Sequence, residues 1–279
     1  MATVIMTFHN EEYYLPWWIR HHAKLFENGI LIDYDSTDHS WEICKWLCPP
    51  NWKIVKSRNR DFDASKLDRE IQYYEQTVSG FKMSLTTAEF LITPVALEKI
   101  NDFCLIFNKE TPCYFTTVGV AMVDSEPTVM PTYYQNLVEQ KHHGMISGYK
   151  AAPNTATFDN GEPIDDFFKS YYSRLYHNAP YGDYVLGRHW TLDHSWWNHR
   201  ATDVFTLKYK YSPWNDTILK RLQQFKHRVP QSDLDRGFCT FHTQAEETYI
   251  KEYEHYLKTA HDLKEDDKFL KAYEYTMGL

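Results

Sequence analysis

The stretch LIDYDSTDHS (residues 31–40) is an apolar run that ends in three aspartates within six residues, Asp33, Asp35 and Asp38. Residues 2–8 (ATVIMTF) and 52–57 (WKIVKS) are further runs of strand-forming residues. Apolar residues at helical spacing separate the three runs, with Asn10 as a candidate cap for the first helix. The order strand, helix, strand, helix, strand predicts a doubly wound α/β sheet.

The rest of the chain is less regular. The pattern predicts a helix over 63–79, strand and turn over 81–92, and a late strand over 204–212 with a helix after it. Residues 95–150 mix signals without a clear order, and 151–166 are loop-like. From residue 243 onward the chain is predicted to be helical, with Ile250, Tyr253, Leu257, Ala260 and Leu263 on one apolar stripe. One domain with a helical C-terminal extension is the simplest organisation.

Composition narrows the class of protein. Hydrophobic residues make up 43% and charged residues 24%, which is ordinary for a globular chain, while 16% aromatics is high. The net charge of −8 argues against a nucleic-acid binder. Five cysteines without a C-x-x-C pair predict reduced thiols. We find no secretion signal and no transmembrane-length apolar run, so the sequence predicts a cytoplasmic protein.

The acidic turn follows the second predicted strand, and the turn HNEE (9–12) follows the first. In parallel α/β sheets, ligands bind at the carboxyl ends of the strands. An aspartate there can accept hydrogen bonds from a nucleobase or a ribose, and the next helix offers its N-terminus to an anion. The simpler alternative is that Asp33 or Ser36 only caps the following helix.

The two turns together resemble the opening of family 2 type glycosyltransferases. The resemblance is to the branch with N-E-x-x-x-L-x-x-W-[IV]-x-x-H followed by D-x-x-S-T-D-x-[ST]. The matching residues are Asn10, Glu11, Leu15, Trp18, Ile19 and His22, then Asp33, Ser36, Thr37, Asp38 and Ser40. Residues 1–92 match well and 204–242 loosely. The resemblance implies the GT-A (nucleotide-diphospho-sugar transferase) fold, a doubly wound mixed sheet with helices on both faces, over 1–242, with 243–279 as the helical extension.

The resemblance also implies roles for the turn residues. Phe8 and Asn10 would line the nucleotide pocket, and Asp33 would hold the base. Asp38 would hold the turn or the ribose, and Glu11 would bridge the two turns. The donor would be a UDP, GDP or dTDP sugar, and the acceptor a glycan or glycoconjugate.

One departure concerns the metal motif. Relatives end their fourth strand in D-x-D-E-F-[IL], whose acids hold Mg²⁺ or Mn²⁺ against the donor diphosphate. This chain has TTAEFL (86–91), with Thr86 and Ala88 in place of both aspartates. Because hard divalent ions need oxygen ligands with carboxylate charge, the site would be poor. The enzyme would then be metal-independent, or would hold metal on Glu89 and a distal His189, or would be a non-catalytic binder.

Cations are available to replace a metal. Lys208 and Lys210 alternate on a predicted strand and share one face. GRHW (187–190) offers Arg188 and His189 after a glycine, with a structural role as the alternative for the histidine. Basic residues over 220–228 fit a solvated helix face better than a ligand site.

The chemistry that the resemblance implies is sugar transfer from a nucleotide sugar to a glycan hydroxyl by a hexosyl- or pentosyltransferase, with inversion. An inverting transferase needs a carboxylate base. The candidates are Asp165, Asp166, Asp183 and Asp193, and Asp193 is preferred because it lies beside GRHW and two tryptophans. The alternative function is a non-catalytic GT-A-fold sugar-nucleotide binding or scaffold protein. The C-terminal helix would pack on its own domain or form a homodimer.

Overall fold

The computed structural model describes residues 1–60, 62–107, 112–146, 172–184, 187–189, 191–192, 197–237 and 239–279. The strands in these ranges are β1 (Ala2–Phe8), β2 (Asn28–Asp33), β3 (Lys53–Lys56), β4 (Phe81–Thr86), β5 (Glu89–Ile92), β6 (Cys113–Val123), β7 (His143–Ile146), β8 (Leu175–His177), β9 (Trp197–Tyr211) and β10 (His261–Asp262). The helices are α1 (Leu15–His22), α2 (Ser40–Leu47), α3 (Ala64–Glu75), α4 (Leu97–Phe107), α5 (Leu137–Gln140), α6 (Asp216–Gln223), α7 (Gln231–Asp235), α8 (Glu246–Leu257) and α9 (Asp267–Met277).

The strands form one mixed sheet, in the order β10-β7-β6-β8-β4-β1-β2-β3, with β9 joining β6 to β5. Strands β3, β2, β1 and β4 are mutually parallel. Strand β8 is antiparallel to both β4 and β6. The carboxyl ends of β1, β2 and β4 therefore meet at one edge of the sheet, where α/β proteins bind ligands.

The central strand shows why the chain folds around it. Val4 and Met6 belong to a core cluster that includes the apolar face of α1, whereas Ile5 belongs to a second cluster with Ile71 of α3. Alternate residues of a strand point to opposite faces, so an uninterrupted apolar strand must be covered on both sides. This confirms the predicted doubly wound mixed sheet with helices on both faces.

The start of the first helix differs from the prediction. Helix α1 begins at Leu15 and has Pro16 in its first turn, a position where the missing N–H of proline costs nothing. Asn10, the predicted cap, has a left-handed φ of 51° and lies outside the helix. Its side chain is instead used by the neighbouring turn.

The C-terminal segment is two helices rather than one. Between α8 and α9, His261 and Asp262 pair with β7, and Leu263 is fully buried. Helix α9 lies against the same domain, where the Thr276 hydroxyl accepts a hydrogen bond from the backbone N–H of Thr93 at 2.9 Å. Part of the apolar stripe is therefore buried against the chain's own domain, at Tyr253 and Leu263, whereas Leu257 is exposed. The domain division at 242 and the homodimer stay predictions.

The five cysteines are free thiols, as their number and spacing predicted. In the described ranges, no helix combines the length and the apolar character needed to cross a membrane.

Candidate functional site

The turns after β1 and β2 are locked together by side chains of the matched motifs. Ser36 Oγ accepts from the N–H of Asn10 at 3.0 Å, and Asn10 Oδ1 accepts from the N–H of Thr37 at 2.7 Å. Ser40 Oγ accepts from the N–H of Glu11 at 2.7 Å. Much of the N-E and D-x-x-S-T-D-x-S pattern therefore builds this junction.

The three aspartates of the acidic turn are separated by their environments. Asp33 is fully buried, and its oxygens accept from the N–H of Ser36 and from Lys56 Nζ. Asp38 accepts from the backbone N–H groups of Ser40 and Glu12. Asp35 is exposed. Each charge is compensated or hydrated, which makes the cluster tolerable.

Two donor-site candidates on β1 and in its turn have partners that the sequence did not reveal. The Phe8 ring lies in the hydrophobic core. The Glu11 carboxylate binds Arg221 of α6 in a bidentate pair, with both N–O distances 2.7 Å. Arg221 Nη2 also lies 3.3 Å from Thr87 Oγ1. Arg221 therefore ties the β1 turn to the turn after β4, and it is not part of a solvated helix face.

A buried charge cluster stands at the position of the metal motif. Arg174 donates to Glu89 through two nitrogens, Nε at 2.8 Å and Nη2 at 2.6 Å. Lys208 Nζ lies 3.0 Å from Glu89 Oε1 and 2.8 Å from Thr86 Oγ1. Burial would raise the pKa of Glu89, but Arg174 and Lys208 hold it well below its usual range. One carboxylate and two cations leave one positive charge in surplus.

Lys208 carries that surplus charge. Its side chain is only 20% exposed. Burial lowers its pKa to about 8, partly offset by Glu89, and Arg174 adds to the lowering. Lys210, two residues along the strand, instead pairs with Glu252 of α8 at 3.2 Å. Lys208 is mostly charged at neutral pH, but a small rise in pH neutralises it.

The donor set here does not fit a divalent metal ion. The Glu89 oxygens accept from Arg174, Lys208 and the N–H of Thr86. A divalent ion at this carboxylate would have to displace one of two cations and then sit beside the other. In the described part of the chain, no three His, Cys, Asp or Glu side chains converge as metal ligands.

The segment 187–189 lies next to this cluster. Arg174 Nη1 donates to the carbonyl of Gly187 and lies 3.4 Å from His189 Nδ1. Burial, followed by the charge of Arg174, lowers the pKa of His189 to about 3, so its ring is neutral. Arg188 pairs with Asp68 of α3 at 2.9 Å. Asp193, the candidate base, lies outside the described residues.

A cleft of about 630 Å³ opens beside Asn10 and Asp38. Tyr13 and Tyr133 contribute aromatic lining, and Arg221 lines the cleft together with Lys220 and Gln224. The volume lies within the range of about 300–1,000 Å³ that is typical of ligand clefts. Arg221 links the two places, since it lines the cleft and also contacts Thr87, the neighbour of the Thr86 that contacts Lys208.

Arg174, Arg221 and Asp68 were missed by sequence reasoning. Arg174 comes from SRLYH (173–177), which has no periodic pattern, and reaches Glu89 across 85 residues. Arg221 belongs to the basic run 220–228, which the sequence predicts to be a solvated helix face. Asp68 was one acid among several on a helix. These residues differ from most other charged residues of the chain in how deeply they are buried, and burial cannot be read from a single sequence.

No family model matches the chain, and no curated protein matches it. Among solved structures, a Desulfovibrio desulfuricans G20 protein described as a nucleotide-diphospho-sugar transferase is 10% identical, with a TM-score of 0.27. The match covers 43% of this chain and 58% of that one.

Two further solved structures are mannosyl-type enzymes. Mannosyltransferase PcManGT from Pyrobaculum calidifontis, in complex with GDP-Man and Mn²⁺, is 12% identical with a TM-score of 0.37, over 99% of this chain and 79% of that one. Core-mannan synthase A from Aspergillus fumigatus, in a Mn/GDP form, is 12% identical with a TM-score of 0.27, over 50% and 46%. At these TM-scores the likenesses carry no weight for the function of this chain.

Proposed function

We propose that the chain is a glycosyltransferase that uses a nucleoside-diphosphate sugar and no metal ion at the Thr86–Glu89 turn. An acceptor hydroxyl oxygen bonds to the anomeric carbon as the bond from that carbon to the β-phosphate oxygen breaks. The diphosphate leaves with the electron pair of the broken bond, and the hydroxyl proton passes to a carboxylate base. Asp193 stays the candidate for that base, and inversion follows if the base lies opposite the diphosphate.

The observation that carries this proposal is the surplus cation at the end of β4. Arg174 alone compensates Glu89, so Lys208 can neutralise the charge that grows on the departing diphosphate. Arg221 brings a second guanidinium to the same turn, and it also lines a cleft that has the size and the aromatic lining for a nucleoside. Placement at the carboxyl ends of parallel strands supports the same assignment.

A non-catalytic sugar-nucleotide binding or scaffold protein is the second candidate. It is favoured by the side-chain oxygens of Asn10, Asp33 and Asp38, which already accept hydrogen bonds from backbone N–H groups or a lysine of the protein itself. Turnover separates the two, since a scaffold binds the nucleotide sugar but transfers nothing.

Calorimetric titration with UDP, GDP and dTDP, first in EDTA and then with Mn²⁺, tests the proposal. We expect one diphosphate to bind in EDTA and Mn²⁺ to leave its dissociation constant unchanged. Binding that appears only with Mn²⁺ contradicts the metal-free site. No binding under either condition contradicts the donor site altogether.

The pKa of Lys208 gives a second prediction. At pH 8.5 the lysine is largely neutral, whereas the phosphates are fully ionised. A bound diphosphate favours the charged lysine, so binding should take up a proton and weaken as the pH rises through about 8. Glu89, Arg174 and Arg221 also face this lysine, and the lowered pKa of Glu89 and the raised pKa of Arg221 keep these two groups charged over this range. Calorimetry in two buffers of different ionisation enthalpy measures the uptake, and equal heats in both buffers would contradict the contact.

A further inference from the structure

The backbone of Gly187 is held at both its N–H and its carbonyl. Its N–H donates to Asp68 Oδ2 at 3.0 Å, and its carbonyl accepts from Arg174. Gly187 and Arg188 are consecutive left-handed residues, with φ of 93° and 64°. For a residue with a side chain this conformation is unfavourable, because Cβ crowds the following carbonyl oxygen. The surrounding contacts therefore enforce an unfavourable backbone at Arg188, which is typical of functional positions.

The hydrogen bonding of the buried Arg188 side chain is incomplete. Its Nη1 donates to Asp68 Oδ1 at 2.9 Å, and the residue is 7% exposed. Its Nε–H is buried and has no hydrogen-bond partner among the described residues. An unsatisfied buried donor destabilises the protein, because it has lost its hydrogen bond to water without gaining another. A ligand oxygen that reached Nε would remove this cost.

Charge indicates which kind of oxygen fits. Asp68 already compensates the guanidinium, so the pair is close to neutral and has no surplus charge for a second anion. The donor that remains suits a neutral hydroxyl, and the network Asp68–Gly187–Arg174–Glu89 connects it to the cation cluster. A hydroxyl bonded in a buried setting is also a strong source of specificity.

We propose that Arg188 recognises a hydroxyl of the transferred sugar through its Nε–H, and that Asp68 is the positioning residue for this contact. The inference rests on the proposed function, because the hydroxyl belongs to the sugar of the same nucleotide-sugar donor. Since the Nε atom is covered, sugar binding displaces the atoms that cover it.

Helix α3 supplies a matched control. Glu75 lies seven residues after Asp68 on the same helix and holds the same segment, accepting from the N–H of Gly182 at 2.7 Å and from the Tyr184 hydroxyl. Both carboxylates are buried, but only Asp68 contacts Arg188. A purely structural role for Asp68 predicts that Asp68→Asn and Glu75→Gln behave alike.

The experiment compares a diphosphate with its sugar nucleotide, using UDP with UDP-glucose and GDP with GDP-mannose, by calorimetry. The readout is the ratio of the two dissociation constants. Arg188→Lys keeps a cation for Asp68 but has no Nε–H. We expect it to leave diphosphate affinity unchanged and to shift the ratio by about 5- to 15-fold against the sugar nucleotide. Asp68→Asn should shift the ratio in the same direction, and Glu75→Gln should not.

The outcomes separate the two proposals. If the wild-type protein binds no diphosphate, the donor site itself is wrong and this inference falls with it. If diphosphates bind but Arg188→Lys weakens both ligands equally, Arg188 contacts phosphate and the sugar contact is overturned. An unchanged ratio in Arg188→Lys, or equal shifts in Asp68→Asn and Glu75→Gln, also overturns it. Thermal melting of each variant shows that the protein compared is folded.

Discussion

Lys208→Met is expected to weaken nucleoside-diphosphate binding by about 10- to 100-fold without lowering the melting temperature. The binding loss follows from removing the surplus cation at the end of β4, since a charge-assisted hydrogen bond is worth about 1.5–3 kcal/mol. The stability result follows from the pKa. Folding lowers the pKa of Lys208 to about 8, so the folded state disfavours its charge and methionine relieves that cost.

Lys210→Met is the control for this experiment. Lys210 lies on the same face of β9 but pairs with Glu252, so its loss should leave diphosphate affinity unchanged. Calorimetry gives the affinities and thermal melting gives the stabilities. Equal affinity losses in both variants would point to general electrostatics. A stability loss confined to Lys208→Met would make this lysine a structural partner of Glu89 and contradict its role as the spare cation.

Arg174→Met should lower the free energy of unfolding by about 3–5 kcal/mol, a large fraction of the stability of a typical domain. Arg174 makes the bidentate pair with Glu89 and also donates to the Gly187 carbonyl. Without it, a fully buried carboxylate keeps only Lys208, whose own charge is disfavoured by burial. Denaturant titration measures the loss.

Replacing Glu89 in the same protein tests whether the uncompensated buried carboxylate causes the loss of stability. Glu89→Gln removes the buried negative charge, so in the Arg174→Met background it should restore part of the lost free energy instead of adding a further loss. Arg69→Met, on the exposed side of α3, should stay within about 0.5 kcal/mol of the wild type. Additive losses in the double variant would show that the two side chains do not stabilise each other.

The sheet core was predictable because its signals are local. An apolar run covered on both sides appears in the sequence as a run without alternation, and the helices between the runs appear as apolar residues at helical spacing. This was enough for β1 to β3, for α2 and for the acidic turn after β2. The start of α1 was not predicted correctly, because Asn10 was a plausible cap whose side chain is used by the turn beside it. A local pattern does not reveal which of two nearby partners a side chain will choose.

In the C-terminal part, too, local features were predictable and features that depend on long-range pairing were not. Its helical content was predicted, but the break at His261–Asp262 was not, because a two-residue strand has no period of its own and exists only by pairing with β7. The segment 151–171, predicted as a loop over 151–166, lies outside the described residues. The roles assigned by resemblance to Phe8, Asn10, Glu11, Asp33 and Asp38 stay predictions.

Local sequence patterns were sufficient for the doubly wound topology, the edge of the sheet where the carboxyl ends of β1 and β2 meet, the free cysteines and the absence of aspartates at 86 and 88. What replaces those aspartates depends on the tertiary structure, since Arg174, Lys208 and Glu89 come from three strands or their flanks and converge only when β4, β5, β8 and β9 are assembled. The physical reason is the distance along the chain over which each effect acts. Propensity and periodicity act over a few residues, whereas the charge state of a buried group depends on burial and on neighbours that the whole fold brings together.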